Sequence, residues 1–329
     1  MGIVDKGKLM KTDQLKVGLA QIAPVWFNRE ATLEKVIKYI ENAASQGVEL
    51  IAFGEAMVPG YPFWVEPTGG ARFNAPDQKE IFAEYANQAV QIEAGHLDEV
   101  CAAARDGGIA VYLGIIERAK DRGGHSLYCS MVYINWTGKI CSVHRKLQPT
   151  YEERLVWSPG DGNGLTVHEL GNFTVGGLNC WENWMPLPRA ALYGMGEDLH
   201  VAIWPGSKRN TFDITPHMAK EGRSFVMSVS ALMRPSDIPE SMLHFKEIME
   251  PIKNKEFLAD GGSCLCGPDG KWIIEPQVGE EGLYVARINH EKVREERQNF
   301  DPAGHYSRPD VTKLIIDRRR QTTVETIDE

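Results

Sequence analysis

The sequence predicts an α/β fold in a single domain, and three observations support this. Strand-like and helix-like runs alternate from residue 15 onward, the opening has β-α-β order, and neither a linker nor an internal repeat divides the 329 residues. Hydrophobic residues make up 43% of the chain and charged residues 25%, which are ordinary globular proportions. A chain of this length can bury a large core.

Charge and cysteine content exclude several classes of protein. A formal charge of -9 gives no electrostatic reason to bind nucleic acid or an anionic membrane, and the run 318–320 of three arginines is predicted to be a solvated tail. The chain contains no apolar stretch near the ~20 residues of a membrane span. Residues 1–15 lack the hydrophobic segment of a signal peptide, so we expect a cytoplasmic protein with six reduced thiols.

The first elements form the β-α-β unit. A strand is predicted at 15–22, and an apolar stripe at helical spacing predicts a helix over 31–44 with Asn28 as its N-cap. A buried strand at 48–53 follows, and parallel pairing with the first strand is expected. Glu55 comes just after this strand, where an unanswered carboxylate would be costly to desolvate. Taken alone, a glutamate in this place is more often a helix cap or the partner of a surface arginine than a functional group.

In the middle of the chain, a lysine and a cysteine each come at the end of a predicted strand, as Glu55 does. Residues 77–105 have a helical pattern, strands are predicted at 109–116, 126–135 and 139–143, and Lys146 follows the last of these. Cys180 ends another apolar run, which begins at residue 173. Alone, such a lysine is usually solvated and such a cysteine usually buried and inert. If the three runs lie in one sheet with a common direction, the three side chains meet at one rim.

The alternation continues to the C-terminus. We predict helices at 187–195, 213–223 and 290–298, and strands at 199–204, 225–233, 263–266, 272–274 and 283–288. The segment 235–251 lacks a strand pattern and is predicted to be an insertion on the surface or at the mouth of a cleft. Cys264 and Cys266 are predicted to pack in the core, because two ligands do not make a zinc site.

Glutamate, lysine and cysteine together suit nucleophilic catalysis. A free thiol has a pKa of about 8.5 and needs a base or a nearby cation to become a thiolate. Glu55 is the candidate general base, and Lys146 would stabilise the thiolate and the charge that develops during attack. If Glu55 and Lys146 are buried together, each group has a partner of opposite charge, which offsets the cost of removing it from water. The signatures of serine hydrolases, phosphate-binding loops and zinc proteases are absent from the sequence.

Three motifs, in this order and spacing, resemble those of the nitrilases, the nitrile-hydrolysing branch of the carbon-nitrogen hydrolase superfamily. They are FGEAMVPGYP at 53–62, HRKLQPTYEERLVW at 144–157 and NCWEN at 179–183. The resemblance covers about residues 15–317, between an N-terminal extension at 1–14 and a C-terminal tail at 318–329. It implies a four-layer α-β-β-α sandwich, a triad of Glu55, Lys146 and Cys180, and a supporting role for Glu153.

The resemblance also implies a reaction and a set of partners. Cys180 would attack a nitrile to form a thioimidate and then a thioester, releasing ammonia and a carboxylic acid, with no metal or organic cofactor. The chain would form a homodimer or a larger, possibly spiral, homo-oligomer, through the segment after Cys180 and the C-terminal tail. No nucleic acid or membrane partner is expected. The expected substrate-binding residues are Tyr61, Trp157, Trp181 and Trp184.

Alternatives remain at this point. An amidase, a carbamoylase or a cyanide-converting enzyme would use the same three groups. A catalytically silent scaffold is disfavoured, because it has no reason to keep three groups that are costly to bury.

Overall fold

The computed structural model describes residues 12–324 and Ile327, so most of the expected N-terminal extension lies outside the described residues. In the described part of the chain the strands are β1 Gln14–Gln21, β2 Leu50–Phe53, β3 Ala110–Arg118, β4 Leu127–Ile134, β5 Ile140–Arg145, β6 His168–Leu170, β7 Phe173–Asn179, β8 Leu199–Trp204, β9 Phe225–Ser230, β10 Leu232–Met233, β11 Ala259–Cys266, β12 Trp272–Val278 and β13 Gly282–Asn289. The helices are α1 Arg29–Ser45, α2 Pro76–Gln88, α3 Asp98–Gly107, α4 Pro186–Gly194, α5 Lys208–Thr211, α6 Ile214–Gly222, α7 Phe245–Met249 and α8 Glu291–Arg297.

The strands form two mixed sheets that pack face to face. The first has the order β13-β1-β2-β3-β4-β5, and the second has the order β10-β11-β9-β8-β7-β6 with β12 paired to β11. Apolar side chains from both sheets, among them Leu19, Tyr112 and Val201, fill the space between them. Helices α1 and α3 cover the outer face of the first sheet, and α6 covers that of the second. The four-layer sandwich in a single domain is confirmed.

The β-α-β opening is as predicted. Strands β1 and β2 pair in parallel, and the side chain of Asn28 accepts a hydrogen bond from the backbone of Ala31 at the start of α1. This bond satisfies one of the donors that a helix N-terminus leaves open. The prediction of one helix over 77–105 is wrong. Two helices, α2 and α3, flank a segment in which Gly95 adopts φ 81°, a left-handed conformation that ends a helical turn.

The three functional loops do not leave one sheet, and this corrects the sequence-based expectation. Strands β2 and β5 lie in the first sheet and run in the same direction, because β5 is separated from β3 by one antiparallel strand. Strand β7 lies in the second sheet. The loops carrying Glu55, Lys146 and Cys180 therefore meet across the sandwich rather than along one edge.

Segment 235–251 and the C-terminal residues have little regular structure but contact the rest of the domain. Segment 235–251 holds a short turn of 3₁₀-helix and α7, and the residues that follow it reach the mouth of the cavity described below. Near the C-terminus, Arg320 forms an ion pair with the buried carboxylate of Asp161, so the expectation of a wholly solvated arginine run is wrong for this residue. Cys264 and Cys266 are buried core residues as predicted. Within the described residues, every helix is too short or too polar to cross a membrane.

Candidate active site

Close backbone packing fixes the loop that carries Glu55. The Glu55 N–H donates to the carbonyl of Trp204 in the other sheet at 3.0 Å. A side chain at Gly114 on β3 would bring its Cβ within 2.2 Å of the Gly54 carbonyl oxygen, so the loop crosses β3 where only glycine fits. These contacts direct the Glu55 carboxylate inward.

Glu55, Lys146, Glu153 and Cys180 form one buried cluster, each at most 3% exposed. The Lys146 Nζ donates to Glu55 Oε1 at 2.9 Å and to Glu153 Oε2 at 2.7 Å. The Cys180 Sγ and one oxygen of each glutamate all lie within 4.8 Å of one another. The structure thus brings together the acid, the cation and the thiol that the sequence analysis singled out.

The two glutamates differ in how their oxygens are used. Glu153 accepts from the Tyr61 hydroxyl at 2.9 Å through Oε1, and from Lys146 and the Thr150 N–H through Oε2. Glu55 uses Oε1 for Lys146, while its Oε2 is buried without a hydrogen-bond partner in the described part of the protein. A buried acceptor left open is unusual in a native structure. Glu55 therefore has an oxygen free to take a proton, and Glu153 does not.

Lys146 stays charged and the thiol stays neutral. Burial alone would lower the pKa of Lys146, but the charges that Cys180, Glu55 and Glu153 carry whenever they are ionised outweigh burial and hold this pKa well above its usual range. Burial, reinforced by Glu55 and Glu153, raises the pKa of Cys180 well above its ordinary value, although Lys146 and the Trp181 N–H oppose the shift. The thiol does not ionise unaided, so its attack on a substrate requires a base.

Glu55 suits that task. Burial raises its pKa to about 8, with Lys146 opposing the shift and the like charge of Glu153 adding to it. A base works best when its pKa lies near the working pH. Glu55 can therefore take the thiol proton and later return it.

Cys180 occupies a strained turn. Its φ of 46° is left-handed, a conformation that costs a non-glycine residue roughly 1–2 kcal/mol. Glu182, three residues on, accepts from the Asn179 N–H at 2.8 Å and from the Leu147 N–H at 2.6 Å, and it also contacts His144. One buried carboxylate thus joins the loop of the cysteine to the loop of the lysine.

The cluster opens into a cavity of about 600 Å³. Tyr61 and Trp181 line it. Trp157 lies behind Tyr61, with the two rings 5.5 Å apart, and its ring faces the Lys146 ammonium. The expectation for Trp184 is not met, because its side chain is 46% exposed on the outer surface and does not line the cavity. Other lining residues are Phe63, Glu66, Tyr151, Glu152, Arg209, Ile252, Lys255 and Phe257.

A metal ion would have to compete with lysine here. The donor atoms of Glu55, Glu153 and Cys180 are close enough to hold one ion. Both carboxylates, however, already bind the Lys146 ammonium. A cation at this point would have to displace that ammonium.

Some residues that shape the site were given no role in the sequence analysis, although two of them, Glu182 and Asn183, lie in the motif at 179–183. Glu182 is the main one, and the spacing of Asn179 and Glu182 is that of a capping box, a signal readable in the sequence. The contact between Asn183 and His200 left no such signal, because it joins a loop to a different strand.

Comparisons with known proteins find similarity over most of the chain. Residues 16–298 match the family model described as carbon-nitrogen hydrolase. The chain is 34% identical over 313 residues to "Nitrilase 2" from an unknown prokaryotic organism, covering 94% of this chain and 95% of that one. It is 34% identical over 319 residues to an "Aliphatic nitrilase" of Sinorhizobium fredii, covering 95% and 99%. The structure of an amidase from Nesterenkonia sp. superposes with a TM-score of 0.63 at 18% identity, covering 89% and 97%, which shows the shared fold.

Proposed function

Since this chain belongs to the carbon-nitrogen hydrolase family, we propose that it is a nitrilase that converts an organic nitrile to a carboxylic acid and ammonia. The class predicted from the sequence, a hydrolase of carbon-nitrogen bonds other than peptide bonds, is confirmed by the family match. The observation that carries the proposal is the buried cluster of Cys180, Glu55 and Lys146 at the base of a cavity.

The first half of the reaction forms a covalent thioimidate. Cys180 Sγ attacks the nitrile carbon while Glu55 takes the thiol proton and passes it to the nitrile nitrogen. The Lys146 ammonium stabilises the negative charge that develops on that nitrogen. The Trp181 backbone N–H, which follows Cys180 directly in the chain, is the candidate second donor at the reacting centre. The product of this half is R–C(=NH)–S–Cys, with all atoms of nitrile and thiol retained.

The second half consumes two waters. Glu55 takes a proton from the first water as the oxygen adds to the thioimidate carbon, and passes it to nitrogen to form an NH2 group. It then transfers the remaining hydroxyl proton to that nitrogen as the carbonyl forms and the C–N bond breaks, so that ammonia leaves and a thioester remains. A second water, activated in the same way, releases the acid and restores the thiol. If the first tetrahedral intermediate expels the thiolate instead, the product is an amide. Glu153, whose oxygens are occupied by Tyr61, Thr150 and Lys146, holds the ammonium in place.

The chemistry of the cavity fits a nitrile with an apolar body. Aromatic and aliphatic side chains form much of its wall, including Tyr61, Phe63 and Ile252. Such walls suit a group that offers few hydrogen bonds. An amidase is the second candidate, because a thioester hydrolysed by the same cluster also arises from an amide.

Ammonia release from matched nitriles and amides separates the two. We expect the wild-type chain to release ammonia from aliphatic or aromatic nitriles, and Cys180→Ala to release none. Cys129→Ala is a matched control, because Cys129 is a buried thiol that lies near the cluster without being its nucleophile. Ammonia from amides but from no nitrile would identify an amidase. Release from neither would favour a silent scaffold.

Self-association and location are part of the proposal. The segment after Cys180 exposes Trp184, Met185 and Leu187, the last at 64%, and an apolar surface of this kind is typical of a contact between proteins. We expect a homodimer or larger homo-oligomer by light scattering, weakened by Leu187→Glu; a monomer at every concentration would contradict this. We also assign the enzyme to the cytoplasm, which fractionation of the source cells tests.

A further inference from the structure

A second chain of buried hydrogen bonds ends on the backbone of Cys180. Glu197 Oε1 lies 2.9 Å from His200 Nδ1, and His200 Nε2 lies 2.7 Å from Asn183 Oδ1. Asn183 Nδ2 in turn donates to the carbonyl of Cys180 at 2.8 Å and to that of Leu178 at 3.3 Å. Glu197, His200 and Asn183 are all at least 98% buried, and none of them belongs to the reaction cluster described above.

The carbonyls fix the orientation of the Asn183 side chain. A carbonyl oxygen only accepts, so the amide nitrogen of Asn183 must face Cys180 and Leu178, and its oxygen must face His200. That oxygen also only accepts, and therefore His200 Nε2 must carry a hydrogen and donate it. The tautomer of His200 is thus set by the peptide carbonyl of Cys180 through one intervening side chain.

The Glu197 and His200 pair consequently holds an additional proton. With Nε2 protonated, the contact between Nδ1 and the carboxyl group also needs a hydrogen, on the ring or on Glu197. Burial raises the pKa of Glu197, although His200 opposes the shift, and this favours retention of the proton. The other charged or titratable groups that face the pair are Asp198, Arg297, Tyr193 and Tyr112, and Arg297 donates to the Glu197 carbonyl.

Strand β7, which leads to Cys180, has a glycine where the Glu197 side chain packs against it. A Cβ at Gly176 on β7 would lie 2.3 Å from Glu197 Oε1, so a larger residue there would collide with the carboxyl group. From Gly176 the strand runs to Cys180, where φ is 46°. A left-handed cysteine persists only when its surroundings hold it.

We propose that His200 is a positioning residue for the nucleophile, acting through Asn183 on the Cys180 carbonyl to keep the strained turn and the direction of the thiol. The inference rests on the proposed function, which assigns the nucleophile to Cys180. His200 does not touch the substrate. Its Nε2–H donates to the Asn183 amide oxygen and so holds that amide against the carbonyls of Cys180 and Leu178, while Glu197 keeps the hydrogen on Nε2.

Four variants and a matched control test this proposal. The two readouts are ammonia release and the rate at which iodoacetamide alkylates Cys180, with the alkylated peptide identified by its mass. His200→Phe removes the donor but keeps the ring. We expect kcat and the alkylation rate to fall together by about 10- to 100-fold, with KM within about threefold, since a misplacement of about 1 Å costs up to about 100-fold. His168→Phe, which removes a partly buried histidine bonded to Ser142, should leave both rates unchanged.

The double variant Asn183→Ala/His200→Phe should lose no more than Asn183→Ala alone, because both act through one contact. Glu197→Gln should retain kcat within about threefold, since its amide donates to Nδ1 and leaves Nε2 protonated. This variant keeps the inference testable if His200→Phe does not fold. Three results would each overturn the inference. They are losses of kcat that add up in the double variant, an unchanged rate of Cys180 alkylation in folded His200→Phe, and a Glu197→Gln variant that folds but is inactive. Wild-type protein that is alkylated at Cys180 yet hydrolyses nothing would overturn the proposed function instead.

Discussion

The activity of this enzyme should depend steeply on pH below about 8, because the proposed base is a carboxylate held at an unusually high pKa. Burial raises the pKa of Glu55 to about 8, and only the ionised form can accept the thiol proton. The active form is therefore present above this pKa and is lost as the pH falls through it. At pH 6, two units lower, roughly 1% of Glu55 is ionised, so kcat/KM should be about 100-fold below its plateau.

The assay is ammonia release under kcat/KM conditions from pH 5.5 to 9.5, with a nitrile that has no titrating group. A rising limb centred near 8 is the expected result. A profile that is flat down to pH 6, or a limb near 4.5 as for an ordinary glutamate, would refute the assignment of the base. Free enzyme groups determine the limb in kcat/KM, so substrate binding does not obscure the comparison.

Two variants test why the pKa of Glu55 is raised. Glu153→Gln removes the like charge that raises the pKa of Glu55 and leaves the Lys146 ammonium to Glu55 alone, so the limb should move to lower pH by about one unit even though the maximal rate falls. Glu152→Gln is the matched control, because Glu152 lines the cavity without contacting Glu55 and should leave the limb in place. A limb that does not move in Glu153→Gln would contradict the electrostatic cause.

Three further substitutions test the supports of the site. Tyr61→Phe removes the hydroxyl bonded to Glu153 and should lower kcat by about 10- to 150-fold, because a hydrogen bond to a charged group contributes about 1.5–3 kcal/mol; unchanged kinetics would mean that Tyr61 only lines the cavity. Glu182→Gln leaves a buried N–H unsatisfied and should lower the free energy of unfolding by about 1–3 kcal/mol in urea titrations, and an unaltered midpoint would contradict this. Gly114→Ala should cost about 1–3 kcal/mol in the same titration and reduce kcat, because its Cβ meets the Gly54 carbonyl; wild-type values would show that the loop can move.

Much of the fold was predictable because its signals are local. The stripe and the cap that define α1 lie within one helix, and the strand ends before Glu55, Lys146 and Cys180 are visible as breaks in apolar runs. The resemblance of the motifs to those of a known family then indicated that these three residues belong to one site. In the structure the side chains of these three residues lie in one buried cluster.

What failed depends on contacts between distant parts of the chain. Periodicity does not say which sheet a strand joins, and so the sequence did not place β7 across the sandwich from β2. Trp184 is an aromatic residue of the type that often lines pockets, but its side chain lies on the outer surface. The partners of Asn183 and Glu182 come from other strands and loops, and hydrogen bonding of this kind leaves no periodic pattern.

The central claim is that the Cys180 sulfur forms a covalent bond to the substrate carbon. The most direct test is to mix the enzyme with a nitrile that it hydrolyses, quench in acid during turnover, and map the modified peptide by mass. The peptide containing Cys180 should gain the mass of the acyl group or its imidate, and Cys180→Ala should gain nothing. An adduct at another residue, such as Cys129, or continued ammonia release by Cys180→Ala would contradict the claim.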